Sequence, residues 1–244
     1  MRLKNKIILV TGGAVRIGRT ICLELARRGA TVFCHYHSSE AQAGSLSEVL
    51  TKMGAEHSLF KGDLTRLQTI EELCAKALQK YGRIDALINN AAVFYKTPLG
   101  QVQEKDWQHF FDLNLKSVFF LSQEVSRQML QQKAGKIINI GDAGALHPFP
   151  GYLPYSISKN AIVILTQGLA KALAPAIQVN CINPGPVLMP QSMPADERAY
   201  ALEQTLLKKE GAPGDVAGAV RFLLEEGDYI TGAVIPVDGG RHIR

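Results

Sequence analysis

Tyr155 and Lys159 are the pair of side chains in this sequence best suited to acid–base chemistry. They lie four residues apart in a segment of helical period, so both side chains project from one face of the predicted helix. A lysine ammonium beside a phenol favours the phenolate, and we expect it to lower the pKa of Tyr155 from the reference value of about 10. The pair predicts a tyrosine that exchanges a proton with a substrate, the alternative being a coincidental i,i+4 pair.

The turn at residues 11–18 (TGGAVRIG) follows the first apolar run of the sequence. Glycines at a strand-to-helix turn let the backbone approach a phosphate, and the free N–H groups at the helix N-terminus attract anions. The spacing departs from GxGxxG, so an ordinary tight turn is the alternative. Its position directly after the first strand predicts a nucleotide site.

Residues 34–39 (CHYHSS), at the end of the second predicted strand, contain no acidic side chain before Glu40. An NAD site usually has a carboxylate there that accepts a hydrogen bond from the ribose 2′-hydroxyl. Its absence, together with the positive charge of Arg16, favours a 2′-phosphate and therefore NADP. A metal site on His35 and His37 is the alternative, but two histidines without further ligands make a poor site.

Composition and charge restrict the class of protein. The 244 residues are 46% hydrophobic and 20% charged, which is ordinary for a globular domain. The net charge of +5 is spread along the chain without a basic stripe, so nucleic-acid binding is not predicted. The four cysteines form no CxxC pair and suit buried positions in a reducing compartment. No stretch approaches the roughly 20 apolar residues of a membrane span, and we expect a cytoplasmic protein without a membrane partner.

Strand-length apolar runs alternate with segments of helical period along the whole chain. Strands are predicted over 6–10, 30–35, 57–62, 84–89, 136–140, 177–182 and 233–237. Helices are predicted over 17–28, 40–53, 67–81, 105–131 with a break near Asn114, 155–173 and 213–224. This alternation is typical of an α/β fold with a parallel sheet covered on both faces. We expect one domain over 1–244, with an irregular proline-rich stretch at 184–194 and a substrate loop at about 184–210.

These motifs, in this order, resemble the short-chain dehydrogenase/reductase family over essentially the whole chain. The resemblance rests on the glycine turn, Asp63, Asn89-Asn90-Ala91, Asn114, the Tyr155/Lys159 pair and Pro184-Gly185. It implies a Rossmann-type doubly wound sheet of about seven strands, hydride transfer with NAD(P), and a homotetramer.

The resemblance also implies roles for individual residues. Tyr155 would donate the proton, Lys159 would hold the ribose, and Asn114 would fix a water in the proton relay. Asp63 would contact the adenine, and Asn90 would line the cofactor cleft. The predicted cofactor-binding set is Gly12, Arg16, Ile17, Gly18, His35, Tyr36, His37, Ser38, Asp63, Leu64, Asn90, Ala91, Tyr155, Lys159, Pro184, Gly185 and Val187.

Two departures from the family pattern concern the substrate. The serine expected thirteen residues before the tyrosine is Asp142, and a glycine of the turn is Arg16. With His35-Tyr36-His37 and Phe94, these residues resemble the pteridine reductase branch. The resemblance implies that Phe94 stacks on a flat ring while Arg16 and Asp142, with Tyr155, bind its edge. The alternatives are a core aromatic for Phe94 and a loop cap for Asp142.

The leading hypothesis is therefore an NADPH-dependent reductase of pterin-like substrates such as dihydropteridines or dihydrofolate. Asp142 would share the delivery of the proton with Tyr155. The alternative is a short-chain carbonyl reductase, for example of 3-oxoacyl thioesters, which would normally carry the serine. A remote alternative is a non-catalytic NADP-binding sensor or scaffold, which would be expected to lose the Tyr155/Lys159 pair.

Two further departures weaken parts of this interpretation. Ser38 stands where the branch often has an arginine that grips the 2′-phosphate, and Ala92-Val93 stand where it often has hydroxyls. Leu188, Met189 and Met193 would form an apolar lid. The basic tail at 241–244 would contact a neighbouring subunit or be solvated.

Overall fold

The computed structural model describes residues 1–146, 148, 150–189 and 193–243. Its centre is a parallel sheet of seven strands in the order β3-β2-β1-β4-β5-β6-β7. The strands are β1 Ile7–Val10, β2 Thr31–Tyr36, β3 His57–Lys61, β4 Ala86–Asn89, β5 Gly135–Ile140, β6 Ile177–Pro184 and β7 Val234–Val237. The predicted α/β fold is confirmed, with strand ends within about two residues of those predicted.

Helices cover both faces of the sheet. They are α1 Arg16–Arg27, α2 Glu40–Lys52, α3 Leu67–Tyr81, α4 Glu104–Phe111, α5 Ser117–Gln132, α6 Leu153–Leu173, α7 Ala195–Glu203 and α8 Pro213–Glu225. A π-helical turn, Asp112–Lys116, joins α4 to α5, so the predicted break near Asn114 is confirmed. Short 3₁₀ turns at Ala143–Leu146, Pro150–Tyr152 and Arg241–Ile243 were not predicted.

Alternating side chains of β1 explain the layering. Ile8 and Val10 belong to the apolar cluster that includes residues of α1 and α8, whereas Leu9 belongs to the cluster that includes residues of α3 and α5. All four cysteines are buried and reduced, as predicted. The order of strands reverses beside β1, where β1 pairs with both β2 and β4. In a doubly wound sheet this reversal opens a crevice at the carboxyl ends of the strands.

The segment after β6 differs from its prediction. Pro184 was expected to begin an irregular loop, but it ends β6 and pairs with Val237 of β7. A proline is tolerated at a strand end, where few ladder hydrogen bonds remain to be made. The predicted substrate loop at 184–210 contains α7, whose sequence (ADERAYALE) shows little helical period. Residues 190–192 of this loop lie outside the described residues.

No helix among the described residues is both long enough and apolar enough to cross a bilayer.

Candidate functional site

A cavity of about 820 Å³ opens at the carboxyl ends of the strands. It extends from the glycine turn, past the ends of β4 and β5, to α6 and α7. The predicted residues that line it are Gly12, Arg16, Ile17, Gly18, Asn90, Ala91, Phe94, Asp142, Tyr155, Lys159, Pro184, Gly185, Val187, Met189 and Met193. The fold thus brings the predicted cofactor-binding turn and the predicted catalytic pair, Tyr155 and Lys159, into one cavity.

Asp142 is bonded through both of its carboxylate oxygens. The Tyr155 hydroxyl donates to Asp142 Oδ2 at 2.5 Å. The backbone N–H of Gly144 donates to Asp142 Oδ1 at 2.6 Å. Asp142 therefore caps the turn that follows β5, which was the alternative to a substrate-binding role. At the same time it orients the Tyr155 hydroxyl.

The pKa of Tyr155 is shifted in the direction opposite to the prediction. Burial of the phenol is the main cause, and the charge of Asp142 and its hydrogen bond act in the same direction, so the pKa lies well above the ordinary value. Lys159 is turned to the backbone, where its Nζ donates to the carbonyl oxygen of Ile140 at 2.8 Å. Burial lowers the pKa of Lys159, with Asp142 opposing the shift. The expected lowering is absent because the phenol is buried and the Asp142 carboxylate lies beside its hydroxyl.

Asn114 connects the π-helical turn to two neighbouring segments. Its side-chain oxygen accepts from the N–H of Val93 at 2.9 Å, and its amide donates to the carbonyl oxygen of Val93 at 3.2 Å and to Ser158 Oγ at 3.1 Å. Ser158 Oγ in turn donates to the carbonyl oxygen of Tyr155 at 2.7 Å. Asn114 is therefore connected through Ser158 to the backbone of Tyr155.

At Gly12 and Gly18 the glycine turn has no room for a side chain. A Cβ on Gly18 would lie 2.2 Å from the carbonyl oxygen of Gly12, and one on Gly12 would lie 2.9 Å from the Cα of Ala91. Gly12 also has φ +60°, a left-handed conformation that favours glycine. Asn90 fixes the turn, because its amide donates to the carbonyl oxygens of Thr11 and Gly12 at 2.9 and 3.0 Å.

The predicted cofactor-binding residues at the end of β2 are partly buried and partly on the surface. His35 is buried; its Nε2 donates to the carbonyl oxygen of Gly62 at 3.0 Å, and its Nδ1 accepts from the N–H of Gly12 at 3.4 Å. Burial lowers the pKa of His35 to about 4. The ring is therefore neutral at pH 7. Both ring nitrogens are hydrogen-bonded to the backbone, one of them to the glycine turn, so neither is left for a ligand. His37 and Ser38 are exposed, and Tyr36 is half-buried.

Asp63 and Leu64 follow β3 and lie beside this strand end. Asp63 Oδ1 accepts from the backbone N–H and the hydroxyl of Thr65 at 3.0 and 2.8 Å. Leu64 is buried in the cluster on the α3 face of the sheet. Neither residue lines the cavity described above.

Phe94 stands at the mouth of the cavity with 44% of its surface exposed, which excludes the core-aromatic alternative. Its ring stacks on Tyr152 at 4.8 Å and 2°, and meets Tyr155 edge-on at 4.8 Å and 73°. The Arg16 guanidinium donates to the carbonyl oxygen of Leu188 and so connects the glycine turn to the segment after β6.

Several residues that line the cavity, among them Glu197 and Arg241, were missed by sequence reasoning. Glu197 of α7 binds Lys96 Nζ at 2.6 Å and accepts from the Tyr152 hydroxyl at 3.4 Å. Arg241 was expected in a solvated or intersubunit tail, yet it is only 8% exposed and lines the cavity. The preceding Asp-Gly-Gly sequence was the available signal, since it predicts a tight turn. Arg244 of the same tail lies outside the described residues.

Comparison with known proteins agrees with this architecture. Residues 13–242 match the family model described as enoyl-(acyl carrier protein) reductase. The chain is 36% identical to 3-oxoacyl-(acyl-carrier-protein) reductase FabG of Thermotoga maritima, over 98% of this chain and 99% of the relative.

Two solved structures are similar over nearly the whole chain. A short-chain dehydrogenase/reductase from Serratia marcescens has a TM-score of 0.92 and 31% identity, covering 99% of this chain and 100% of that one. A blue fluorescent protein from a metagenomic library, solved in complex with NADPH, has a TM-score of 0.90 and 31% identity, covering 99% of both chains. With its seven-stranded sheet, glycine turn and Tyr155/Lys159 pair, the chain belongs to the short-chain dehydrogenase/reductase family of oxidoreductases.

Proposed function

We propose that the chain is an NADPH-dependent reductase of a carbonyl group, with 3-oxoacyl thioesters as the first substrate class to test. The observation that carries this proposal is the placement of Tyr155 and Lys159 in the same cavity as the glycine turn. The similarity to 3-oxoacyl-(acyl-carrier-protein) reductase supports this choice over the pterin substrate favoured by the residues alone. The pteridine reductase branch gains no support from these relatives.

The cavity fits a dinucleotide at its glycine end. The N-terminus of α1, directly after the glycine turn, would accept a pyrophosphate. Arg16 is exposed at that terminus. The first carboxylate after β2 in the sequence, Glu40, is paired with Lys61 Nζ at 2.7 Å. This balance of charge supports NADPH over NADH, with His37 and Ser38 beside the adenosine ribose.

The residues around the reacting carbonyl would donate the proton, bind the cofactor and position the helix that carries Tyr155. NADPH, when bound, would supply a hydride to the carbonyl carbon. Tyr155 would donate its proton to the carbonyl oxygen, and its raised pKa keeps it protonated at neutral pH. Lys159 would hold the ribose, and Asn114 would hold α6 in place through Ser158. Asp63 and Leu64 would lie toward the adenine, with Ala91, Pro184, Gly185 and Val187 along the nicotinamide half.

A pterin-like substrate is the second candidate, and one observation favours it. Asp142 occupies the place of the family serine and already accepts the Tyr155 hydroxyl, so a ketone oxygen must compete with a carboxylate for this proton. A flat nitrogen heterocycle would instead offer N–H donors to Asp142 and a face to Phe94. Tyr152 now covers one face of Phe94, so such a ring would take the other face or displace Tyr152.

Loss of nicotinamide absorbance on a parallel panel tests the proposal. The panel contains acetoacetyl thioester, dihydrobiopterin and a buffer blank, each with NADPH and with NADH. Turnover of the thioester supports the carbonyl reductase. Turnover of the pterin alone contradicts it and favours the second candidate.

Asp142→Ser is the matched variant for the same panel. The serine restores the family hydroxyl and frees Tyr155 from its acceptor. We expect thioester turnover to be kept or raised, and pterin turnover to be lost if it exists. Thioester turnover abolished by this change would contradict the proposal, because it would make the carboxylate essential to ketone reduction.

We also propose a homo-oligomer. Four large apolar side chains on α5 and α6 point outward: Phe119, Leu130, Ile157 and Ile164 are 40%, 45%, 46% and 70% exposed. Apolar side chains of this size on adjacent helices favour burial against another copy. Light scattering coupled to size exclusion is expected to give a multiple of the chain mass, reduced by Phe119→Lys with Ile164→Lys. A monomeric wild-type chain would contradict this proposal.

A further inference from the structure

The predicted apolar lid is divided between the cavity and the surface. Met189 and Met193, which lie between β6 and α7, line the cavity, and Ala201 of α7 lines it as well. Leu188 is 39% exposed and is absent from the lining. Methionine side chains are flexible and adapt to the shape of an aliphatic ligand. This end of the cavity therefore offers an apolar wall, provided that the chain around Met189 is held in place.

Met189 is held at both of its backbone groups by two charged side chains. Its N–H donates to Glu210 Oε1 at 2.7 Å, and its carbonyl oxygen accepts from Arg198 Nη2 at 3.3 Å. Arg198 Nη1 also donates to Glu210 Oε2 at 3.1 Å. Arg198 and Glu210, the Arg198–Glu210 clamp, thus bind one residue and each other. The backbone of Met189 cannot turn without breaking a charge-assisted hydrogen bond.

The two members of the clamp come from separate parts of the fold. Gly211 pairs with the chain just after β6, where its N–H donates to the carbonyl oxygen of Pro186 at 2.9 Å. This pairing places the neighbouring Glu210 beside Met189. Arg198 belongs to α7. The clamp therefore connects α7 to the end of the sheet at the residue that lines the cavity.

The exposure of the clamp indicates that its effect is local. The Arg198 and Glu210 side chains are 34% and 33% exposed. An ion pair of this exposure contributes little to the stability of the whole fold. Loss of either partner should therefore leave the chain folded while it releases Met189. Neither Arg198 nor Glu210 belongs to the cavity lining, so neither would contact the substrate directly.

We propose that Arg198 and Glu210 are positioning residues that hold Met189 as part of an apolar wall for an aliphatic acyl chain. The inference rests on the proposed function and narrows its substrate class to 3-oxoacyl thioesters with a chain longer than acetoacetyl. Each methylene group that the wall covers loses contact with water, so affinity should rise with chain length. Chain-length preference is therefore the property that the clamp controls.

Calorimetric titration with saturated acyl thioesters tests the wall without turnover. Butanoyl and octanoyl thioesters of N-acetylcysteamine lack the 3-oxo group, and each is titrated with NADP⁺ present. The wild-type chain should bind the octanoyl thioester about tenfold or more tightly than the butanoyl thioester. Arg198→Met and Glu210→Ala should lose most of this difference. Arg27→Met, which breaks the exposed Arg27–Glu24 pair of α1, is the matched control and should keep it.

Two outcomes of these titrations would overturn the proposal. One is a wild-type chain whose affinity does not rise with chain length. The other is a clamp variant that retains the full wild-type difference between the two thioesters.

A double-mutant cycle determines whether Arg198 acts through Met189. Met189→Ala should itself remove most of the dependence of affinity on chain length. Arg198→Met should then have little further effect in the Met189→Ala background, because the two changes remove the same contact. Losses that add in full would overturn the positioning role.

Turnover of 3-oxobutanoyl and 3-oxooctanoyl thioesters separates this inference from the proposed function. Arg198→Met should raise the KM for the longer substrate by about tenfold, with little change in kcat or in the KM for NADPH. Arg198→Lys keeps the charge and should restore part of the loss. A kcat that falls equally on both substrates would indicate a general structural defect and would overturn the inference. A wild-type chain that binds the octanoyl thioester but reduces neither substrate would contradict the proposed function and still support the clamp.

Discussion

The Tyr155 hydroxyl and the Asp142 carboxylate share a hydrogen bond of 2.5 Å across thirteen residues of sequence. The bond joins the helix that carries the proton donor to the turn that follows β5. It places a hydrogen-bond acceptor where the family has a hydroxyl, so a substrate carbonyl must compete with Asp142 for the proton of Tyr155.

Tyr155→Phe keeps the ring and its edge-on contact with Phe94 and removes only the hydroxyl. We expect turnover of the accepted substrate to fall by about 100- to 10,000-fold, because the change removes the hydroxyl that would donate the proton. NADPH affinity, measured by fluorescence, should change little. Tyr229→Phe, at a fully exposed ring, is the control and should match wild type. A Tyr155→Phe protein with full turnover would refute the proposed role.

Ser38→Asp introduces a carboxylate at the exposed end of β2. The negative charge would repel a 2′-phosphate and accept from a 2′-hydroxyl, so the ratio of kcat/KM for NADPH to that for NADH should fall about tenfold or more. Ser38→Asn has similar size without the charge and should shift the ratio far less. Equal ratios in wild type and Ser38→Asp would place the ribose elsewhere.

His35 makes the chain sensitive to acid. Its pKa is lowered by burial to about 4, below the 6.5 of an unfolded histidine, so the unfolded chain binds the proton first as pH falls. The free energy of unfolding should decrease between about pH 6.5 and 4, by about 3 kcal/mol from this residue. Urea titrations at both ends of this range should show a smaller decrease for His35→Gln.

The control for this pH dependence is His37→Gln, at the exposed neighbouring histidine, which should retain the wild-type decrease. If His35→Gln and wild type lose the same free energy of unfolding, His35 is not the group responsible.

Gly18→Ala tests whether NADPH binding depends on the close packing of Gly18 against Gly12 in the glycine turn. Its Cβ would meet the carbonyl oxygen of Gly12 at 2.2 Å, so the turn must move, and NADPH affinity should fall about tenfold or more. Gly44→Ala is the matched control, because Gly44 is exposed in α2 and a Cβ added there would have no atom within 4 Å. It should leave affinity unchanged and stabilise the chain by up to about 1 kcal/mol. Equal NADPH affinity in Gly18→Ala and wild type would show that the phosphate lies away from this turn.

The sequence was sufficient for the sheet because hydrophobic period is a local signal, and the break at Asn114 was visible for the same reason. It was insufficient where a property depends on a distant neighbour. The pKa of Tyr155 was predicted in the wrong direction because the burial of the phenol and the approach of Asp142 both depend on tertiary packing. Arg241 was missed because its burial depends on the Asp-Gly-Gly turn that precedes it and on the turn after β5, and α7 was missed because it buries only Ala201.

The π-helical turn between α4 and α5 holds one residue more than a regular helical turn would need. Deleting one residue within 112–116 would therefore close the turn to regular α geometry and leave Leu121 and Val125 of α5 facing the core. The same deletion inside α5 would instead rotate the rest of the helix by about 100°. Closing the π turn would, however, remove the wide turn that presents Asn114 to Val93. A one-residue deletion at 112–116 would thus disturb the site while it spares the core.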